Sequence, residues 1–177
     1  FTNLGRDHLD FHSDVEGYFQ AKATLFTPER ARVAVVSIDD AWGRRLADSS
    51  TIPVHTLSVR GLEADWQAVD IVSDATGSRF GVAAPGGVRL TAAVPLPGEF
   101  NVANALVAIA TAAEVGCDLV AVGQGLGTVA GVPGRLERVD RGQDFVVMVD
   151  YAHKPDAVAA ALATLRPLTG GRLIVVL

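Results

Sequence analysis

The 177-residue sequence has a single cysteine, Cys117. A lone thiol excludes an internal disulfide and a metal site built from several cysteines. The chain has no G-x-x-x-x-G-K-[ST] segment, so these residues carry no phosphate-cradling P-loop of their own. No apolar run approaches the roughly 18 residues of a membrane span. Basic residues are in the minority: 15 Lys and Arg stand against 20 Asp and Glu, for a net charge of -5. That balance argues against a general nucleic-acid binder, which carries a basic patch. It leaves a nucleotide substrate open, because a nucleotide needs only a few local contacts. One thiol, and no stretch that reads as a signal peptide, predict a cytoplasmic setting with no membrane and no nucleic-acid partner. There is no internal repeat and no low-complexity tract.

What is present is core-forming material: 49% of the residues are hydrophobic and 20% charged. At roughly 150 residues per domain, the chain accommodates one domain or two small ones. Ser13-Asp14-Val15-Glu16 fits a capping box, with Ser13 as N-cap. It predicts a helix of three to four turns whose apolar stripe is Val15, Tyr18, Phe19, Leu25 and Phe26, with Lys22 inside the stripe. Residues 32–38 and 54–59 read as strands, with a short helix from Asp39-Asp40 to Leu46 between them. Residues 66–73 and 78–83 alternate like antiparallel strands, and Pro85-Gly86-Gly87 turns the chain into a further strand over 88–94. Residues 101–115 form an Ala-rich helix and 119–126 a weaker one. An interdomain linker is expected near Gly131-Val132-Pro133-Gly134. Beyond it, a buried strand over 145–149, a helix over 155–165 and a buried strand over 172–177 read as the start of a second, Rossmann-like domain. Both ends look cut. Phe1 is not an initiator methionine, residues 1–4 read as a strand end entering a loop, and no loop follows Leu177. The chain is therefore expected to be part of a longer protein.

Three constellations carry chemistry. In the first, Asp7-His8-Leu9-Asp10-Phe11-His12, two carboxylates and two imidazoles fall within six residues after a predicted strand. Oxygen ligands suit Mg²⁺, and one imidazole can join them; the plain alternative is a polar loop capping the next helix. Lys22, 14 residues after His8, belongs with it. A lysine on an apolar face either snorkels to water or is desolvated with a lowered pKa. A neutral amine can take up carbon dioxide as a carbamate, which offers two oxygens to Mg²⁺. The second constellation is Gly98-Glu99-Phe100-Asn101-Val102-Ala103-Asn104-Ala105. Asn101 reads as an N-cap. Asn104, a turn inside an apolar helix, either reads an adenine edge or bonds a neighbouring loop. The third joins Gly134-Arg135-Leu136-Glu137 to Asp150-Tyr151-Ala152-His153-Lys154-Pro155-Asp156, the latter between a strand and a helix, where α/β proteins place ligand groups. Arg135 offers a bidentate fork to phosphate. Asp150 can accept from a ribose hydroxyl or hold a neighbouring group, and His153 can contact phosphate or ribose. The alternative is strand-to-helix capping by Asp150 and Asp156, with Arg135 in a surface ion pair. Gly123, Gly125 and Gly127 read as linker or helix end, and His55 and Cys117 as structural.

Taken in order, these motifs resemble the Mur ligase family of ATP-dependent peptidoglycan enzymes, and within it the UDP-N-acetylmuramoyl-tripeptide synthetase branch. The resemblance rests on Thr2-Asn3-Leu4-Gly5-Arg6-Asp7-His8-Leu9-Asp10-Phe11-His12, on Tyr18-Phe19-Gln20-Ala21-Lys22-Ala23-Thr24-Leu25-Phe26, and on the segments 98–104, 134–137 and 150–156. Lys154 stands where many members have threonine. The resemblance implies an α/β fold: the later part of a central ATP-binding domain over residues 1–133, with a mostly parallel sheet and a small antiparallel hairpin region, then the start of a Rossmann-like C-terminal domain over 134–177. It implies ATP and Mg²⁺ as cofactors, His8 as a catalytic metal ligand, and Lys22 as the carbamylated, metal-binding lysine. Asn104 would contact adenine, Arg135 the phosphates, and Asp150, Tyr151 and His153 the nucleotide from across a cleft.

The implied reaction adds meso-diaminopimelate or L-lysine to UDP-MurNAc-L-Ala-D-Glu through an acyl phosphate. The P-loop and the UDP-sugar contacts would lie upstream, and this chain alone would be inactive. Three alternatives make separate predictions. Another amide ligase of the superfamily, such as folylpolyglutamate synthase or cyanophycin synthetase, would differ in substrate. A metal-dependent hydrolase built on Asp7, His8, Asp10 and His12 would turn over without ATP. A non-catalytic nucleotide-binding module would bind ATP without amino-acid-dependent phosphate release.

Overall fold

A computed structural model describes residues 1–5, 12 and 14–177. Five strands, β1 (Ala34–Ser37), β2 (Val54–Ser58), β3 (Trp66–Asp74), β4 (Gly77–Ala83) and β5 (Arg89–Val94), form one sheet in that order. β1, β2 and β3 run parallel, and β3, β4 and β5 form an antiparallel meander. The register between β3 and β4 shifts between Val69 and Val72, and Asp70 there takes a φ of 52°. Such a bulge adds twist to the hairpin.

The parallel half is covered on both faces, as strands with near-continuous apolar runs require. Ala34 and Val36 of β1 pack with Phe19 of α1 (Val15–Ala23) and Leu46 of α2 (Ala41–Ser49). Val35, pointing the other way, packs on the larger cluster beneath α3 (Glu99–Glu114). Along α3 the buried residues Val102, Ala105, Leu106, Ile109 and Ala110 recur at helical spacing. α4 (Leu119–Gly127) closes the same core over β5.

Phe1 is bound to the free edge of β1: its amine donates to Val35 O at 2.7 Å and its carbonyl accepts from Ser37 N at 2.9 Å. That is the pattern of a parallel ladder, so Phe1 lies along the edge of β1, although residues 1–5 themselves form no strand. The loop that follows therefore leaves from the carboxyl edge of the sheet, where open α/β folds place their ligands.

Several local expectations are corrected. The cap of α1 is Asp14, whose Oδ1 accepts from Gly17 N at 2.7 Å; the capping-box reading with Ser13 at that position does not hold, and Ser13 itself lies outside the described residues. α1 is nine residues long, and Leu25 is exposed beyond its end. Asn101 is not the cap of α3, which starts at Glu99 after Gly98, a residue with a φ of 102°. The expected strand over 145–149 shrinks to β7 (Val147–Val149), which pairs antiparallel with β6 (Glu137–Val139) and leaves Phe145 and Val149 exposed. α5 (Pro155–Leu165) follows, but residues 172–177 form no strand, and Ile174, Val176 and Leu177 are exposed. A strand needs a neighbour for its backbone donors and acceptors, and among the described residues none pairs with this segment.

Candidate functional site

The carboxyl edge of the parallel half is tied together by side chains. Asp39, after β1, accepts from Ser58 Oγ at 2.6 Å and from Val59 N at 2.9 Å, joining the loops that leave β1 and β2. The buried Ser58 hydroxyl also accepts from the amides of Arg60 and Leu62. Arg60 in turn donates to Glu99 in the first turn of α3, at 2.7 Å. The second constellation thus stands at the same edge. Asn101 is buried and donates its amide back to Pro97 O at 2.8 Å, so it fastens the loop before α3. Asn104, one turn on, lies outside the apolar stripe and is exposed. Its amide is presented to solvent, as a base-reading group must be.

On α1, Lys22 is half-buried, with Nζ 4.9 Å from the centre of the Tyr18 ring. The imidazole of His12 stacks on that ring at 4.8 Å with a 22° tilt. His8, Asp7 and Asp10 lie outside the described residues. Among the described residues, no group of three or more His, Cys, Asp or Glu side chains is placed to hold a metal.

The third constellation is assembled by backbone. Tyr151 N donates to Gly134 O at 2.7 Å, and Leu136 N donates to Asp150 Oδ2 at 2.8 Å. Asp150 Oδ1 accepts from Ala152 N at 2.8 Å, and Glu137 accepts from Gly134 N at 2.8 Å. The chain crosses over itself here through Gly134, at a φ of 70°, and Leu136, at 43°, with the Leu136 side chain buried. Arg135, Tyr151 and His153 are thereby gathered on one exposed surface. The Arg135 guanidinium lies 5.5 Å from the centre of the Tyr151 ring, and His153 meets that ring edge-on at 5.1 Å. His153 Nδ1 lies 3.0 Å from Tyr151 O, which orients the imidazole. The plain reading of Arg135 as an ion-pair partner is not what forms: it makes a cation–π contact instead. Asp150 caps no helix; Lys154 is the N-terminal boundary residue of α5.

Sequence reasoning missed the side chains that hold these parts. Tyr18 was counted as core, although its four-residue offset from Lys22 places the two on one helix face. Asp39 was read with Asp40 as a helix opening; only Asp40 caps, accepting from Gly43 N at 2.7 Å, while Asp39 joins two loops. Nothing in the local pattern distinguishes two adjacent aspartates.

The family described as Mur ligase middle domain matches residues 1–112, and that described as Mur ligase, glutamate ligase domain matches residues 134–177. The chain is 52% identical to the UDP-N-acetylmuramoyl-L-alanyl-D-glutamate--2,6-diaminopimelate ligase of Streptomyces coelicolor, over 100% of this chain and 35% of that protein. It is 45% identical to a UDP-N-acetylmuramyl-tripeptide synthetase of Leifsonia xyli, over 99% of this chain and 35% of that protein. A solved structure of a UDP-N-acetylmuramoyl-L-alanyl-D-glutamate--2,6-diaminopimelate ligase superposes with a TM-score of 0.76 at 34% identity, covering 93% of this chain and 34% of the other. MurF from Acinetobacter baumannii superposes with a TM-score of 0.82 at 25% identity, over 96% and 37% of the two chains. The chain thus spans about a third of the length of these relatives. With one family matched over the sheet and its helices and a second over the crossing that carries Arg135 and Tyr151, this chain belongs to the Mur ligase family.

Proposed function

We propose that these residues are the later part of the ATP-binding domain (1–133) and the start of the C-terminal domain (134–177) of an ATP-dependent amide ligase of peptidoglycan synthesis. The ligase couples 2,6-diaminopimelate, or L-lysine in its place, to UDP-MurNAc-L-Ala-D-Glu through an acyl phosphate, in the cytoplasm. The observation that carries this reading is the full-chain similarity to relatives named for that reaction. No helix among the described residues is long and apolar enough to cross a membrane.

Asn104 presents its exposed amide to the adenine edge. Arg135 binds phosphate oxygens as a planar fork, and Tyr151 keeps that fork aligned through its ring. Asp150 fixes the crossing of the two motifs and retains lone pairs for a ribose hydroxyl, since each carboxylate oxygen accepts more than one bond. His153, oriented by Tyr151 O, reaches phosphate or ribose. Closure of the C-terminal domain on the central one brings these groups to the nucleotide and excludes water, which would otherwise hydrolyse the acyl phosphate.

The residues fit Mg²⁺ under one condition. A bare ammonium at Lys22 repels a cation, whereas a carbamate on the same nitrogen supplies the hard oxygens that the ion takes. With His8, a carbamylated Lys22 would hold Mg²⁺, which supplies charge stabilisation for the transferring phosphoryl group. Mg²⁺ keeps several waters and needs few protein ligands, so the small donor set is compatible.

The test uses the full-length protein with ATP, Mg²⁺ and UDP-MurNAc-L-Ala-D-Glu, following phosphate release with and without meso-diaminopimelate or L-lysine. Release that depends on one of the amino acids is expected, and no release with either refutes the reading. Lys22→Ala should abolish ligation, with partial return on adding short carboxylates. Full activity without additive would remove the carbamate.

A further inference from the structure

The segment Gly43-Arg44-Arg45 of α2 is absorbed by none of the roles above, yet it links the sheet to α1. Gly43 presses against β1: an added Cβ would stand 1.7 Å from Ser37 O. Arg44 Nη1 donates to Ile38 O at 2.8 Å, directly after the same strand. α2 is therefore seated on the carboxyl end of β1. Arg45, the next residue, turns to α1. Its Nη1 and Nη2 donate to the two carboxylate oxygens of Glu16 at 2.6 and 2.7 Å. The same guanidinium lies 4.6 Å from the centre of the Phe19 ring and 5.6 Å from that of Trp42. Those two rings are themselves 5.1 Å apart.

α1 has nine residues, of which only Phe19 is buried. An open pocket of about 280 Å³, lined by Ala23, Phe26 and Arg45 among others, lies beside the Phe19–Leu46 packing of α1 and α2, and apolar contact by itself is non-directional. A bidentate carboxylate–guanidinium pair does set both distance and orientation. It holds the Glu16 carboxyl down to about 2, with Gln20 adding to the effect. Glu16, Phe19 and Lys22 lie at three-residue steps along α1, so a helix held through the first two has the third held with it.

We propose that Arg45 is a positioning residue for Lys22: clamped to β1 through α2, it grips Glu16 and Phe19 and so sets where α1 delivers the lysine. The grip itself stands on geometry alone; its consequence for turnover rests on the ligase reading above.

Lys22 and Lys154 are the only lysines in these 177 residues, which permits an internally referenced test. The full-length protein, in buffer freed of carbon dioxide and nucleotide, is pulsed with acetic anhydride, and both lysines are quantified by mass spectrometry. Arg45→Ala and Glu16→Ala should each raise Lys22 labelling several-fold while Lys154 labelling stays constant, and the double variant should label no faster than the single ones. In the ligation assay Arg45→Ala should lower kcat about 10- to 100-fold, the range that misplacement of a catalytic group produces, with the KM for ATP unchanged. Arg45→Lys, which keeps one ion pair and a cation over the rings, should restore part of both readouts, and it carries the test if Arg45→Ala does not fold. Unchanged Lys22 labelling in the folded variants overturns the proposal. Raised labelling in a protein whose wild type fails to ligate keeps the positioning role and refutes the ligase reading instead.

Discussion

Replacing Gly43 by alanine tests the contact that seats α2 on the sheet. An ideal Cβ there stands 1.7 Å from Ser37 O and 2.9 Å from the Ser37 carbonyl carbon, where real Cβ atoms keep at least 3.0 Å. One of the two elements must therefore give by at least 1.3 Å, the difference between 3.0 and 1.7 Å. The obstacle is backbone in the edge of a sheet, so α2 is what moves. Overpacking of this kind costs about 1–3 kcal/mol. Losing the Arg44 bond to Ile38 O adds about 1 kcal/mol. Against this, alanine is favoured over glycine inside a helix by about 1 kcal/mol. The net is about 2 kcal/mol of destabilisation, or a fall in Tm of about 4–8 °C for a chain of this size. Urea and thermal unfolding followed by circular dichroism read it, with Gly125→Ala in α4 as the control. A Cβ at Gly125 meets nothing within 4 Å, so that variant should be neutral or more stable by up to about 1 kcal/mol. If Gly43→Ala matches or exceeds the wild type in stability, the close approach of α2 to β1 is not as described, and the clamp on α1 loses its foundation.

Other perturbations separate holding residues from contacting ones. Asn104→Ala should raise the KM for ATP in the full-length ligase while leaving stability unchanged or slightly raised, whereas Asn101→Ala should cost about 1 kcal/mol by removing the buried bond to Pro97 O. Equal losses of stability in the two variants would contradict that division. Asp150→Ala strips the acceptor from the Leu136 and Ala152 amides, at about 1 kcal/mol for each part-buried bond lost. Amide exchange over residues 134–137 should then quicken, and unaltered protection would remove the crossing role of Asp150. Glu16 is an acid whose folded pKa lies below its ordinary 4.5, at about 2. Its contribution to stability is therefore fully present above pH 4.5 and is lost as the pH falls through about 2. Carbon-13 detection of the Glu16 carboxyl should show that low titration and its return to the ordinary range in Arg45→Met; a wild-type midpoint near 4.5 would disprove the pairing.

The local chemistry of this chain was legible wherever a pattern is periodic or a motif is contiguous. The alternation of residues 66–83 and the stripe through Val102, Leu106 and Ile109 specify a hairpin and a buried helix, because period two and period 3.6 are enforced by the backbone itself. The motifs at 98–104, 134–137 and 150–156 could be picked out as candidates before any fold was known, since each combines a turn with side chains suited to phosphate or base. Cap positions shifted, from Ser13 to Asp14 and from Asn101 to Gly98, because a cap depends on φ and ψ that several neighbouring residue types tolerate.

What local sequence does not carry is which side chain serves another element. That Asp39 joins two loops while Asp40 caps a helix depends on β2 lying beside β1. That Arg45 reaches Glu16, 29 residues earlier, depends on both helices sharing one face of the sheet. The run of residues 172–177 has the composition of a strand and forms none, because the hydrogen bonds of a strand belong to its neighbour. Sequence alone thus decided the elements, the family motifs and the residue types available for chemistry, since these follow from short-range sterics and periodicity. Tertiary structure decided the register of the sheet, the crossing that unites Arg135 with Tyr151, and the clamp behind Lys22. Each of those requires a partner that is remote in the chain and near only once the core has formed.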